Sequence, residues 1–131
     1  MGNTISIKKI GFLDMQHIIN NNQYNIINTL SIDNQNCLIK NTLNANDEVN
    51  FINKSINTNK NIFIVLYGMN SLDNTLIKKY DQLVNLGFKN IYVYIGGLFE
   101  WLLLQDIYGN EQFPTTSHEP DILKYSSSKI I

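Results

Sequence analysis

The sequence has no arginine: every one of its 10 Lys+Arg positions is a lysine. That removes the rigid, bidentate donor fork on which phosphate and carboxylate sites commonly rely. Cysteine is nearly as scarce. Cys37 is the single one, so no internal disulfide framework can form and an intracellular setting is expected. Charged residues make up only 16% and the net charge is -1, which excludes the basic footprint of a nucleic-acid binder. No apolar run approaches the length of a membrane span, and the opening "MGNTISIKKI" has no continuous apolar h-region of a signal peptide. The sequon at Asn53 ("NKS") is therefore expected to be coincidental.

Metal chemistry is equally thinly provided for. His17 stands beside Gln16 on the polar side of a first helix and His118 lies near the C-terminal end, neither with a second ligand at metal-binding spacing. Neither a metal nor a cofactor is expected.

What the 131 residues do contain is apolar patterning, 44% hydrophobic and enough for one packed domain. The asparagine-rich stretch "NNNQYNIIN" is interrupted by apolar residues and is not a prion-like tract. Phe12, Met15, Ile18 and Ile19 have helical spacing. "YNIINTL" (24–30) and "CLIKNTL" (37–43) read as strands, and 44–56 as a helix with Val49, Ile52 and Ile56 on one face.

"NIFIVLY" (61–67) is a continuous apolar run, as in a strand covered on both faces of a parallel sheet. A polar loop follows, then Leu76, Ile77, Tyr80, Leu83 and Val84 at the spacing of an amphipathic helix closed by Gly87. "NIYVYI" (90–95) is the next strand. Strand, helix and strand over this length predict a right-handed crossover, hence an α/β fold with a mostly parallel central sheet flanked by helices. "LFEWLLLQDIYG" after Gly96 and Gly97 is apolar almost all round and is expected to be buried core. Tyr67, Tyr92 and Tyr94 are expected in the core with their hydroxyls on polar partners. The tail beyond Pro114 has no periodic pattern and is expected to wrap on the surface or stay mobile.

The order "IVLYG", helix, "LGFKNIYVYIGGLFEW" resembles the rhodanese-like domain family: strand, active loop, helix, "GF.NV" strand and a "GG...W" element formed here by Gly96, Gly97 and Trp101. The resemblance implies a single such domain over 11–113, between an N-terminal segment 1–10 and a tail 114–131. It also implies an active loop at Gly68, Met69, Asn70, Ser71, Leu72 and Asp73. Family enzymes carry sulfane sulfur on a loop cysteine, a chemistry that needs a thiolate stabilised by a helix N-terminus and loop N–H groups. Matched from the strand side, the cysteine position is Gly68; matched from the helix side, it is Asn70 or Ser71. None is a cysteine, and the Ser71 hydroxyl cannot store sulfur as a persulfide. The family's "DVR" corresponds to Asn28, Thr29 and Leu30, and its "GHIPGA" to "CLIKNT", which puts Cys37 outside the loop as a small buried hydrophobe.

In the loop itself, Ser71, Asp73 and Asn74 are all good helix N-caps. Asp73 there takes free N–H groups for itself and disfavours a bound anion. "MGNTIS" fits the N-myristoylation pattern with Gly2 as acceptor, and Lys8 and Lys9 follow it. The expected function is a catalytically inactive rhodanese-like module that binds or scaffolds a protein partner. It is cytoplasmic, and peripheral to a membrane where Gly2 carries myristate. The alternative is a sulfurtransferase acting through a non-standard or partner-supplied cysteine.

Overall fold

A computed structural model describes residues 7–131. Gly2 and the rest of the lipidation pattern lie outside the described residues. The chain forms β1 (Lys8–Ile10), α1 (Phe12–Ile18), β2 (Tyr24–Asn28), β3 (Thr42–Leu43), α2 (Ala45–Thr58), β4 (Phe63–Tyr67), α3 (Thr75–Asn85), β5 (Asn90–Tyr94) and α4 (Gly97–Tyr108). Short 3₁₀ turns occupy Ile32–Asn34 and Ile122–Tyr125.

The five strands lie in the order β1-β5-β4-β2-β3, and every pairing is parallel. The unbroken apolar run of β4 has its explanation in this order. It is the middle strand, paired to both β2 and β5, with Leu66 in register with Ile27 on one side and Val93 on the other. Side chains alternate across a strand. Val65 and Tyr67 therefore join a core with Met15 and Ile18 of α1 and Leu98 and Trp101 of α4. Ile64 and Leu66 join the opposite core with Ile52 of α2 and Leu76 and Leu83 of α3.

Four expectations are corrected. The stretch 37–43 pairs as a strand only at Thr42–Leu43; Cys37, Leu38 and Ile39 are buried instead beneath the C-terminal segment, with an Ile39–Thr115 bridge. Val49 lies off the packed face of α2 and is 62% exposed, whereas the neighbouring Glu48 turns inward and pairs with Lys79 of α3. On α3, Ile77 and Val84 flank the buried stripe of Leu76 and Leu83 and stay partly in solvent. Finally, α4 is not buried all round: Leu98, Trp101 and Leu102 are core, whereas Leu103, Ile107 and Tyr108 are exposed.

Gly87 closes α3 at φ 102, as its position in the sequence suggested. The packed unit reaches past both ends of the 11–113 span. Lys8–Ile10 pairs with β5, and Tyr125 is 1% exposed within the core.

Candidate functional site

In an open α/β sheet the usual crevice lies where adjacent strands send their chains in opposite directions. Here that point falls between β2, whose chain moves outward to β3, and β4, whose chain returns to β5. The two strand ends are tied together there, since the Thr29 N–H donates to the Tyr67 carbonyl at 3.0 Å. Immediately beyond lie Gly68 to Asp73. This is the loop nominated from the sequence.

Asp73 organises the loop. Its carboxylate accepts the N–H of Met69 (2.8 Å) through Oδ2, and through Oδ1 the N–H of Thr75 (3.0 Å) and the Thr75 hydroxyl (2.6 Å). The Thr75 oxygen also shares a hydrogen bond with the Thr29 hydroxyl at 2.9 Å, in which Thr29 is left to donate, so the carboxylate, α3 and the end of β2 form one polar cluster. Asn74 occupies the N-cap position of α3 but makes no capping bond. Asp73 does that work from one residue earlier. Its carboxylate also faces Gly68: a Cβ on Gly68 would stand 2.6 Å from Asp73 Oδ2 and 2.9 Å from Thr29 Oγ1.

Asn70 is the loop's second organiser. Its Oδ1 accepts the Leu72 N–H at 2.9 Å and its backbone carbonyl accepts the Asp73 N–H at 3.2 Å. The N–H groups of Met69, Leu72, Asp73 and Thr75 are thus all consumed within the chain. From the far side, α4 donates its Leu98 and Phe99 N–H groups to the carbonyls of Gly68 (3.0 Å) and Met69 (2.9 Å). Only a glycine at 97 permits this approach. At φ 69, a Cβ there would lie 2.8 Å from the Gly68 carbonyl oxygen and 2.9 Å from Asn70 N. Gly96 leaves room for the Glu100 carboxylate, which folds back to accept the Tyr94 hydroxyl at 2.7 Å.

No family model matches the chain, and no curated protein matches it in sequence. Solved structures do. The Alr3790 protein from Anabaena sp. is similar at TM-score 0.59 and 18% identity, covering 88% of this chain and 84% of that one. Ygr203w, a yeast protein tyrosine phosphatase of the Rhodanese family, is similar at TM-score 0.60 and 14% identity, covering 91% and 99%. The single-domain sulfurtransferase RDL2 of Saccharomyces cerevisiae is similar at TM-score 0.56 and 15% identity, covering 86% and 100%. The chain has the rhodanese-like fold.

Within this fold, Trp101 is fully buried. It meets Tyr94 and Phe113 edge-on at ring-centre distances of 6.0 and 5.0 Å, and its Nε1 donates to the Pro114 carbonyl at 3.1 Å. Cys37 lies apart from the loop. Its thiol is buried and donates to the Ser117 carbonyl at 3.3 Å, and burial pushes its pKa upward. Tyr67 does find polar partners, accepting the Ile39 N–H at 3.0 Å and sharing a hydrogen bond with Thr42 at 2.9 Å. Ser71 and Leu72 are exposed at the loop tip, and His17 and His118 are exposed elsewhere. No cluster of three or more His, Cys, Asp or Glu able to hold a metal occurs among the described residues. Nor is any helix among them long and apolar enough to cross a membrane.

Two features around the loop escaped the sequence reading. The first is an amide pair at the β2 end, buried at Asn28 and half-buried at Gln35. Asn28 and Gln35 exchange hydrogen bonds at 3.0 and 2.9 Å, while Asn28 takes the Leu30 N–H and Gln35 takes the Ala45 N–H. The second is the C-terminal segment, which crosses the site and walls a cavity of about 460 Å³ together with Thr29, Met69, Asn70 and Asp73. A lone tyrosine in the polar stretch "KYSSS" was the only hint of a buried anchor.

Proposed function

We propose that this chain is a catalytically silent rhodanese-like module that works by binding a protein partner. The observation that carries the reading is the Asp73 carboxylate opposite Gly68. A persulfide carrier needs a thiolate, held by unpaired N–H groups. This loop has no thiol, and the N–H groups of Met69 and Thr75 already serve a built-in anion. Any further negative charge would face that carboxylate with no arginine to offset it.

Cys37 does not supply the missing thiol on this reading, because it is buried, hydrogen-bonded to Ser117 and raised in pKa. The test is sulfur transfer from thiosulfate to cyanide by the purified chain. The expected result is no rate above the uncatalysed reaction. Turnover that persists in Cys37→Ser would overturn the proposal, and turnover abolished by that substitution would assign Cys37 the carrier role instead.

The N-terminal pattern around Gly2 supports a membrane tether as part of the same proposal. Myristate on Gly2, aided by Lys8 and Lys9, would bring the module to an anionic membrane surface where its partner resides.

A further inference from the structure

Asn70 is 7% exposed, and its side chain has both ends committed. Its Oδ1 holds the Leu72 N–H of the loop, and its Nδ2 donates to the Tyr125 carbonyl of the C-terminal segment at 2.9 Å. One carboxamide therefore joins two segments 55 residues apart in sequence.

The C-terminal segment reaches this point along a defined path. The Thr116 N–H donates to the Leu38 carbonyl at 2.8 Å, and the Thr116 and Ser117 hydroxyls both donate to the Asn36 carbonyl. The turn at Ile122–Tyr125 then seats Tyr125 in the core beside α4. Past this anchor, Ser126, Ser127, Ser128 and Ile130 form one wall of the cavity at the strand ends. That part is lightly held: Ile130 is 88% exposed. The segment is thus fixed at Tyr125 and loosely laid across the cavity beyond it.

We propose that residues 121–131 are a strap over the cavity and that Asn70 couples the strap to the loop. Lifting the strap as a unit, with its Tyr125 anchor leaving the core, removes the Tyr125 carbonyl from Asn70 Nδ2 and leaves a buried amide donor unpaired, which is unfavourable. The carboxamide must then rotate to find a partner. The loop turn closed on its Oδ1 at Leu72 opens with it. Whatever engages the strap thereby exposes the cavity and loosens the loop together. This coupling holds whether or not the loop is catalytically silent, so it stands apart from the function proposed above.

Backbone hydrogen exchange on the full chain tests it. In the unaltered protein, Leu72 and Asp73 in the loop and Ser126 in the strap should exchange through one shared opening, at lower denaturant than Ile64–Leu66 of β4. Asn70→Asp keeps the acceptor for Leu72 and loses the donor to Tyr125. It should speed exchange at all three positions at least 10-fold and leave β4 unchanged. It should also speed alkylation of a thiol placed in the cavity wall by Thr29→Cys in a Cys37→Ser background. Faster exchange at Ser126 alone would make the strap a passive appendage, and equal acceleration in β4 would make Asn70 a general stability residue. Either result overturns the proposal. If Asn70→Asp does not fold, the unaltered protein decides: separate openings for loop and strap refute the coupling.

Discussion

Asp73 Oδ2 stands where the side chain of a residue larger than glycine at position 68 would begin, 2.6 Å from the place of its Cβ. The side chain of Gly68→Cys therefore starts against a carboxylate that must give way to admit it, rather than in an open ring of N–H groups. A neighbouring negative charge disfavours the thiolate. In a Cys37→Ser background, the thiol of Gly68→Cys should have a pKa above that of an ordinary cysteine. Adding Asp73→Ser removes the charge, keeps a capping oxygen, and should lower that value and speed alkylation about 10-fold at pH 7. Thiolate absorbance against pH is the measurement. A strongly acidic thiol in the single variant would refute the built-in-anion picture.

The double glycine and the tryptophan should be structural, for different reasons. Gly97→Ala meets backbone atoms at 2.8 and 2.9 Å and sits at φ 69, so the loop and α4 must part. Gly11→Ala is the control, as nothing lies within 4 Å of its Cβ. Urea unfolding should show a loss of about 1–3 kcal/mol for the strained backbone at Gly97 and little change at Gly11. Trp101→Ala empties a fully buried site and should cost about 3–5 kcal/mol. Normal stability combined with loss of a binding partner would reassign Trp101 to an interface.

Alkaline pH should unfold the protein earlier than its surface composition suggests. Burial raises Cys37 from 9.0 and raises Tyr67 and Tyr94 from 10.0; it pushes Tyr125 from 10.0 to about 12. In the folded state these groups hold their protons at pH values where the unfolded chain has released them. The unfolded state then binds fewer protons, so stability falls as pH rises. The loss should begin near pH 9, where unfolded Cys37 ionises, and steepen above pH 10 with the tyrosines. Cys37→Ser should remove the first part of the decline. Denaturant midpoints from pH 7 to 11.5 test this, and a flat profile would contradict it.

A single myristoyl chain on Gly2 gives an association constant of only about 10⁴ per molar. Lys8 and Lys9 add roughly 1 kcal/mol each near an anionic leaflet. Coexpression with an N-myristoyltransferase should add the mass of one myristoyl group. Membrane association should be salt-sensitive, absent in Gly2→Ala, and weaker when Lys8 and Lys9 are both replaced. Identical fractionation of the chain and Gly2→Ala, with no added mass, would remove the tether from the proposal.

The sheet and its helices were legible because their signals are local and periodic. The apolar run of β4, the Leu76–Leu83 stripe and Gly87 each report burial or backbone conformation within one or two turns of chain. The same holds for the loop position and for Asp73, whose hydrogen-bond partners at Met69 and Thr75 are near neighbours in sequence. By itself, then, the sequence determined a parallel α/β domain with a thiol-free loop after its central strand. What the tertiary structure alone decided depends on partners far apart in the chain. Cys37 meets Ser117, Asn70 meets Tyr125, Glu48 meets Lys79, and a segment with no periodicity lines the cavity beside the loop. A hydrogen bond between an asparagine and a carbonyl 55 residues away leaves no spacing to read, because any polar side chain in the right place can make it. Packing selects the partner only once the two core faces have formed.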